Sequence, residues 1–258
     1  MKQPNYPPSE WDARYRIQAS WTQSLRERLY ELSNLRNANR IMEIGSGTGV
    51  IISEIADQFQ GKTYGLDIDH QANAFSCNLD LLTRYITGDG RCLPFPPAAF
   101  DATLCHFLLM WVPNPEIVIG EMRRVTRGDG WILALAEPDY GGRIDYPPEF
   151  DEIGKLQIHA LADQGADPMI GRRLRDIFSR AGLINIQVGV LSGEWTGSPP
   201  LEEFESEWRT IAADLRDKLS DEAIEDYRKA DVEAWRSGSR ILFIPTFYAI
   251  GRVPLPTK

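Results

Sequence analysis

Three glycines and three acids carry the chemistry that this sequence can do. Gly45, Gly47 and Gly49 stand in the stretch RIMEIGSGTGV (40–50), directly after a short apolar run that contains one acid, Glu43. Glycine adopts positive φ without steric cost and lets a ligand lie against bare backbone. If the run before the glycines is a strand and the run after them a helix, the turn also offers unpaired N–H groups and the positive end of a helix dipole. Such a turn binds an anionic or polar small molecule, or it is only a tight connection. The acids say more. Asp67 ends the next apolar run, KTYGLDID (62–69), where a carboxylate can accept from both hydroxyls of a ribose. Asp89, in GDG (88–90), follows a third run and can accept from an exocyclic amine such as that of adenine. Each acid alone would pass for a turn or cap residue. Three of them at three successive strand ends share one crevice.

The charge of the ligand follows from two details. A dinucleotide turn reads G-x-G-x-x-G, and the position of its third glycine is Val50 here. Glu43 also stands where dinucleotide sites are apolar, and a pyrophosphate in the turn would be repelled by it. A sulfonium or an ammonium would be tolerated or favoured. The residues therefore point away from NAD and towards S-adenosylmethionine.

These residues need an alternating framework to bring them together. Glu10 to Leu35 has helical spacing, with Trp11, Tyr15, Ile17, Trp21, Leu25, Leu29 and Leu32 near one face. Strands are expected over 41–44, 62–69, 85–87, 100–110 and 131–139, and helices over 50–59, 70–82 and 115–130, the last with a glycine stop. Strand alternating with helix predicts a parallel sheet covered on both faces, joined by right-handed crossovers. After Asp139 the rhythm breaks. Residues 140–169 are punctuated by Gly and Pro and read as an insertion, 171–183 as a helix ended by Gly182, 184–195 as a strand, 201–236 as helical, and 240–253 as a closing strand. Residues 1–9 are polar and Pro-rich and are expected to order poorly without ligand.

Composition excludes several classes. The chain has 258 residues, with 25% charged and 43% hydrophobic, enough for one large domain or two small ones. The net charge of −9 argues against nucleic acid as the main partner, because such binding relies on Lys and Arg to neutralise phosphates. Arg172, Arg173 and Arg175 read as a solvated helix face. Three cysteines, Cys77, Cys92 and Cys105, without C-x-x-C spacing fit neither a disulfide framework nor a zinc site, and three scattered histidines offer no metal pair. No apolar leader and no run of ~18 apolar residues is present, so a cytoplasmic protein is expected.

Four stretches together, IMEIGSGTG, YGLDID, ITGDGRCLPFPPAAFDATLCHFLLMWVPNPE and MRRVTRGDGWILALAEPDYGG, resemble the successive motifs of class I S-adenosylmethionine-dependent methyltransferases over residues 40–140. The similarity is greatest to the small-molecule branch, of the type 11 and type 25 kind. It implies a single Rossmann-like α/β domain whose mostly parallel seven-stranded sheet has the order 3-2-1-4-5-7-6. Strand 7 (240–253) would be antiparallel, beside strand 6 (184–195). It implies an N-terminal helical lid (1–39), a cofactor-binding core (40–140), and acceptor-side insertions (141–169 and 199–238). The turn Gly45, Ser46, Gly47 and Gly49 would lie against the methionine part of the cofactor. Asp67 would bind the ribose, Asp89 with Gly90 the adenine amine, and Ile68 and Arg91 would flank the adenine. Backbone near Cys105 and His106 would take the ammonium, and Tyr15 or Arg16 could reach the carboxylate.

Methyl transfer from a sulfonium is an in-line displacement, and a base is needed only if the acceptor must lose a proton. His106 is the candidate base, or else lends only backbone to the cofactor. Tyr140 and Arg143, in EPDYGGRIDYP (137–147), could orient an acceptor, Arg143 through a substrate carboxylate, or simply belong to a rigid loop. Trp111, Trp195, Trp208 and Trp235 read mostly as core or lid, with one or two left for an apolar acceptor pocket. The expected activity is methyl transfer to a small organic acceptor, by a monomer or homodimer. The alternatives are a non-catalytic cofactor-binding partner and a protein methyltransferase.

Overall fold

The computed structural model describes residues 6–255; residues 1–5, part of the stretch expected to order poorly, lie outside them. Helix α1 (Pro8–Leu32) begins on a proline, which is pre-set for a first helical turn. The alternation then runs β1 (Arg40–Ile44), α2 (Val50–Gln58), β2 (Lys62–Asp67), α3 (His70–Leu79), β3 (Arg84–Thr87), β4 (Phe100–Cys105), α4 (Pro115–Val125) and β5 (Thr126–Pro138). The remainder is β6 (Ile144–Tyr146), α5 (Asp151–Asp163), α6 (Leu174–Arg180), β7 (Ile184–Leu191), α7 (Leu201–Leu215), α8 (Asp221–Arg236), β8 (Ile241–Phe243) and β9 (Thr246–Arg252).

Seven strands form one sheet in the order β3-β2-β1-β4-β5-β9-β7, with β9 antiparallel to both neighbours. Counted within the sheet alone, that order is 3-2-1-4-5-7-6, as expected. Register places the site. Ile44 stands opposite Leu66, Asp67 opposite Thr87, and Glu43 opposite Leu104, so β1, β2, β3 and β4 end level at one edge. One face of the sheet packs against α4 and α6 through Val118, Met122, Ile177 and Phe178. The other packs against α1 and α2 through Leu29, Ile52 and Ile55. A separate apolar core, with Phe150, Trp208, Ile211 and Leu215, joins α5, α7 and α8.

Three expectations need correction. The helix from Pro115 stops at Val125, not at Gly130, because the Thr126 hydroxyl caps Met122 O at 2.7 Å and its backbone turns extended to pair with Phe100. The Gly- and Pro-rich insertion contains a full helix, α5. Gly154 is tolerated inside it because the Arg143 and Asp145 side chains lie 3.1 and 3.0 Å from where its Cβ would be. The closing strand is two strands. Pro245 has no N–H to donate, and at this point the chain leaves β8, which pairs with β6, and enters β9 of the main sheet.

A buried ion network ties this cap together. Asp145 accepts from Arg143 and, at 2.9 Å, from Arg240, which also reaches Asp231; all four side chains are 3–6% exposed. Arg240 also lies 4.2 Å over the Phe150 ring, and Asp231 accepts from Trp208 Nε1 at 2.8 Å. Removing one member strands the others without water. Arg240→Ala should therefore cost about 3–5 kcal/mol in urea unfolding; a loss below ~1 kcal/mol would show that the network does not hold the cap.

Candidate active site

The turn between β1 and α2 places Gly45, Gly47 and Gly49 at φ of 72°, 51° and 82°, the left-handed region that side chains resist. Gly45 N and Ser46 N donate to Leu66 O at 2.7 and 3.1 Å, which pins the turn to β2. A Cβ on Gly45 would sit 2.5 Å from Leu108, and one on Gly47 2.8 Å from the Tyr15 ring. Both glycines thus also leave a backbone surface that Leu108 and Tyr15 cover at close range. Gly49 serves the turn alone, since it caps α2 and its missing Cβ would meet the Tyr85 hydroxyl.

Polar groups around this surface lack partners. Glu43 is 2% exposed and its Oε2 receives no hydrogen bond; Ser46 Oγ and Thr48 Oγ1 are likewise buried and unpartnered. Buried polar atoms are nearly always hydrogen-bonded, so three orphans round one turn could receive a ligand's polar groups. Burial raises the Glu43 carboxyl to about 8. Asp67 accepts from Gly47 N at 2.7 Å and Asp69 N at 2.8 Å, and burial lifts its carboxyl above the usual range. Each oxygen of an ionised carboxylate has a second lone pair to offer a ligand hydroxyl.

A cavity of about 1150 Å³ runs along this edge. Tyr15, Glu43, Gly45, Ser46, Gly47, Asp67 and Ile68 line it on the turn side, and His106, Tyr140 and Arg143 also line it. The others expected there are elsewhere. Arg16 is turned outward onto Asp12 at 2.8 Å. Asp89 accepts from the backbone N and the guanidinium of Arg91, both side chains well exposed, so neither they nor Gly90 line the cavity. Cys105 is fully buried in the core. Arg143 lines the cavity, but each of its three nitrogens already donates to Asp145 or Gln157, so its charge is matched within the protein rather than held open for a carboxylate.

His106 has its Nε2 2.9 Å from Thr22 Oγ1, and burial, with the nearby Arg26 charge, drops its pKa to about 3. Tyr140 is held protonated well above the usual range, by burial first and then by Glu207 and Asp214. Two features were not expected. Glu137, fully buried in β5, accepts from Leu108 N, Leu109 N and Met110 N at 2.9, 2.8 and 3.2 Å, with its carboxyl raised to about 7 by burial. It ends β4 at Cys105 rather than at Met110 and anchors the turn that carries His106. The signal was one acid inside WILALAEPD. The second feature is aromatic: six of the seven tryptophans line the cavity, all except Trp131, more than the one or two expected, while Trp208 is also part of the α5–α7–α8 core as expected.

A model of the methyltransferase-domain family matches residues 42–134, the span from Glu43 past His106 into β5. That span is a methyltransferase domain, and its similarity is to the class I S-adenosylmethionine-dependent methyltransferases. An uncharacterised methyltransferase of Schizosaccharomyces pombe is 25% identical over 227 residues, covering 80% of each chain. The demethylmenaquinone methyltransferase of Geobacillus kaustophilus is 26% identical over 196 residues, 67% of this chain and 81% of that protein. In fold, the chain is similar to phosphoethanolamine N-methyltransferase 2 of Haemonchus contortus, with a TM-score of 0.66 at 16% identity, over 98% of this chain and 59% of that one.

The site of this methyltransferase fits its family's cofactor by its own features: a bare turn, orphaned oxygens and a buried carboxylate suited to a cation. No helix among the described residues is long and apolar enough to cross a membrane. Glu43 also sets a stability test. Its folded pKa of about 8 exceeds the ordinary 4.5, so between those values the native state holds a proton that the unfolded state lacks. Stability from this group is then lost as pH rises through that window. In cofactor-free protein, Glu43→Gln should gain on the wild type as unfolding is measured from about pH 5 to about pH 8; a pH-independent difference would refute a neutral Glu43.

Proposed function

We propose that this methyltransferase acts on a small organic acceptor with a large apolar or aromatic surface, held between the glycine turn and the α5–α7–α8 cap. The observation that carries this reading is one cavity lined both by the turn and by Trp11, Trp21, Trp111, Trp195, Trp208 and Trp235. Aromatic walls give large contact areas at little entropic cost and exclude water. Dryness matters here, because water is the competing nucleophile.

Bound S-adenosylmethionine supplies an electrophilic methyl group on a cationic sulfur. The chain's residues do the rest. The Glu43 carboxylate favours a positive ligand, Asp67 is placed for ribose hydroxyls, and Tyr15 lies over Gly47 as a cover from α1. Tyr140, protonated, can donate to an acceptor oxygen or nitrogen. The names of the relatives differ in acceptor, a quinone precursor in one and phosphoethanolamine in another, which fits a conserved donor half and a variable cap.

A transfer assay with methyl-labelled cofactor and fractionated lysate should place label in a small-molecule product identified by mass spectrometry. Label confined to protein or RNA would overturn the acceptor class, and cofactor binding without any transfer would point to a non-catalytic member. Asp67→Ala should raise the cofactor Kd at least about tenfold, the loss of charge-assisted hydrogen bonds worth roughly 1.5–3 kcal/mol each. An unchanged Kd in calorimetry would show that the ribose lies elsewhere.

A further inference from the structure

The imidazole of His106 is wired to the N-terminal helix. Its Nε2 lies 2.9 Å from Thr22 Oγ1, and that oxygen accepts from Arg26 Nη1 at 2.7 Å. Arg26 is 1% exposed and is held by Glu54 of α2 and by the Ala19 carbonyl. The Thr22 hydroxyl has one proton and two receivers in reach, Nε2 at 2.9 Å and Ala19 O at 3.3 Å. Ala19 O already takes the guanidinium. A hydroxyl that accepts from a cation becomes a stronger donor, and the chain guanidinium to hydroxyl to imidazole is cooperative. An Nε2–H donating to the same oxygen would share it with the guanidinium and leave the hydroxyl proton only the longer contact to Ala19 O, which the guanidinium already occupies. The shorter contact and the cooperative chain both favour Thr22 as the donor to Nε2.

We propose that Thr22 and Arg26 are positioning residues that lock His106 as the neutral Nδ1–H tautomer, so that it faces the cavity as a hydrogen-bond donor and not as a base. Nδ1 has no hydrogen-bond partner among the described residues, while His106 lines the cavity. The surroundings keep the ring neutral. Arg26 of α1 opposes a second positive charge, the Phe107 ring stacks edge-on at 4.5 Å, Glu54 is engaged by Arg26 and Tyr30, and Glu43 of β1 is itself buried. A donor at this point suits a lone pair on the cofactor or on the acceptor. An acceptor that must lose a proton then needs another group to take it. The same wiring makes seating of α1 a condition for a correctly set His106. The tautomer stands without the proposed acceptor, so the two readings fail separately.

Protein labelled with ¹⁵N-histidine decides the matter by two-bond ¹⁵N–¹H correlation in the cofactor-free state. With three histidines in the chain, the His106 signals are those lost in His106→Asn. The wild type should show Nδ1–H with no titration from about pH 5 to about pH 8, against an unperturbed midpoint of ~6.5. Thr22→Val should shift the ring towards Nε2–H and slow labelled transfer about tenfold, the rate equivalent of one hydrogen bond. Thr22→Ser, which keeps the hydroxyl, should restore both. An Nε2–H wild type, an imidazolium forming near neutral pH, or a Thr22→Val spectrum like the wild type would each overturn the assignment. The wild-type spectrum alone decides if the valine variant does not fold.

Discussion

Glu43 sits at the end of β1 with one carboxylate oxygen that no protein donor reaches. Leaving such a group buried costs about 1–3 kcal/mol in a folded protein. The chain accepts that cost at the strand end where the turn of Gly45 and Gly47 runs along the cavity, and the surrounding structure maintains it. Helix α1 closes over the turn with Tyr15, Leu108 covers Gly45, and the sheet seals Glu43 from behind. A cationic ligand placed there, as proposed above, would relieve the cost. The cofactor's positive charge therefore acts on a site already poised for it, and a neutral, protonated Glu43 is the resting state that burial imposes.

Glu137 makes the contrast instructive. It is as buried as Glu43, yet its carboxylate accepts three backbone N–H groups in a row. One acid is satisfied and serves as a peg that fixes the turn after β4. The other is left open at the cavity, where the proposed cofactor would lie. His106 lies between these two devices, held by the Glu137-anchored turn on one side and by Thr22 on the other. Thus the cofactor edge of the sheet is rigid in its backbone and unsaturated only where a ligand must enter.

The acceptor side follows a different logic. Its guanidinium groups at Arg143 and Arg240 are consumed by Asp145, Asp231 and Gln157, so they brace the cap from within. With those charges paired to each other, six tryptophans stand in the cavity wall beside polar residues such as Arg14, Glu203, Glu207 and Asp214. A network that pays for its own burial in paired charges also places the cap helices reproducibly over the cavity, which is what in-line transfer demands of geometry.

The alternating core was legible because its signals are local: apolar runs of strand length, glycines at a turn that needs positive φ, and acids at strand ends. That Glu43, Gly45, Gly47 and Asp67 meet at one edge could be read from residue type and spacing, since parallel strands must bring their ends together. The fate of Arg143 could not, because its partners Asp145 and Gln157 meet it only once α5 packs against β6. Nor could the split at Pro245, where one apolar run serves two sheets, or the pairing of Asp89 with Arg91 away from the cavity. His106 shows the division most sharply. Sequence determined that an imidazole stands at the end of β4. Only the packing of α1 decided its protonation, because a tautomer is set by which atoms lie within ~3 Å, and Thr22 comes from a helix 84 residues away.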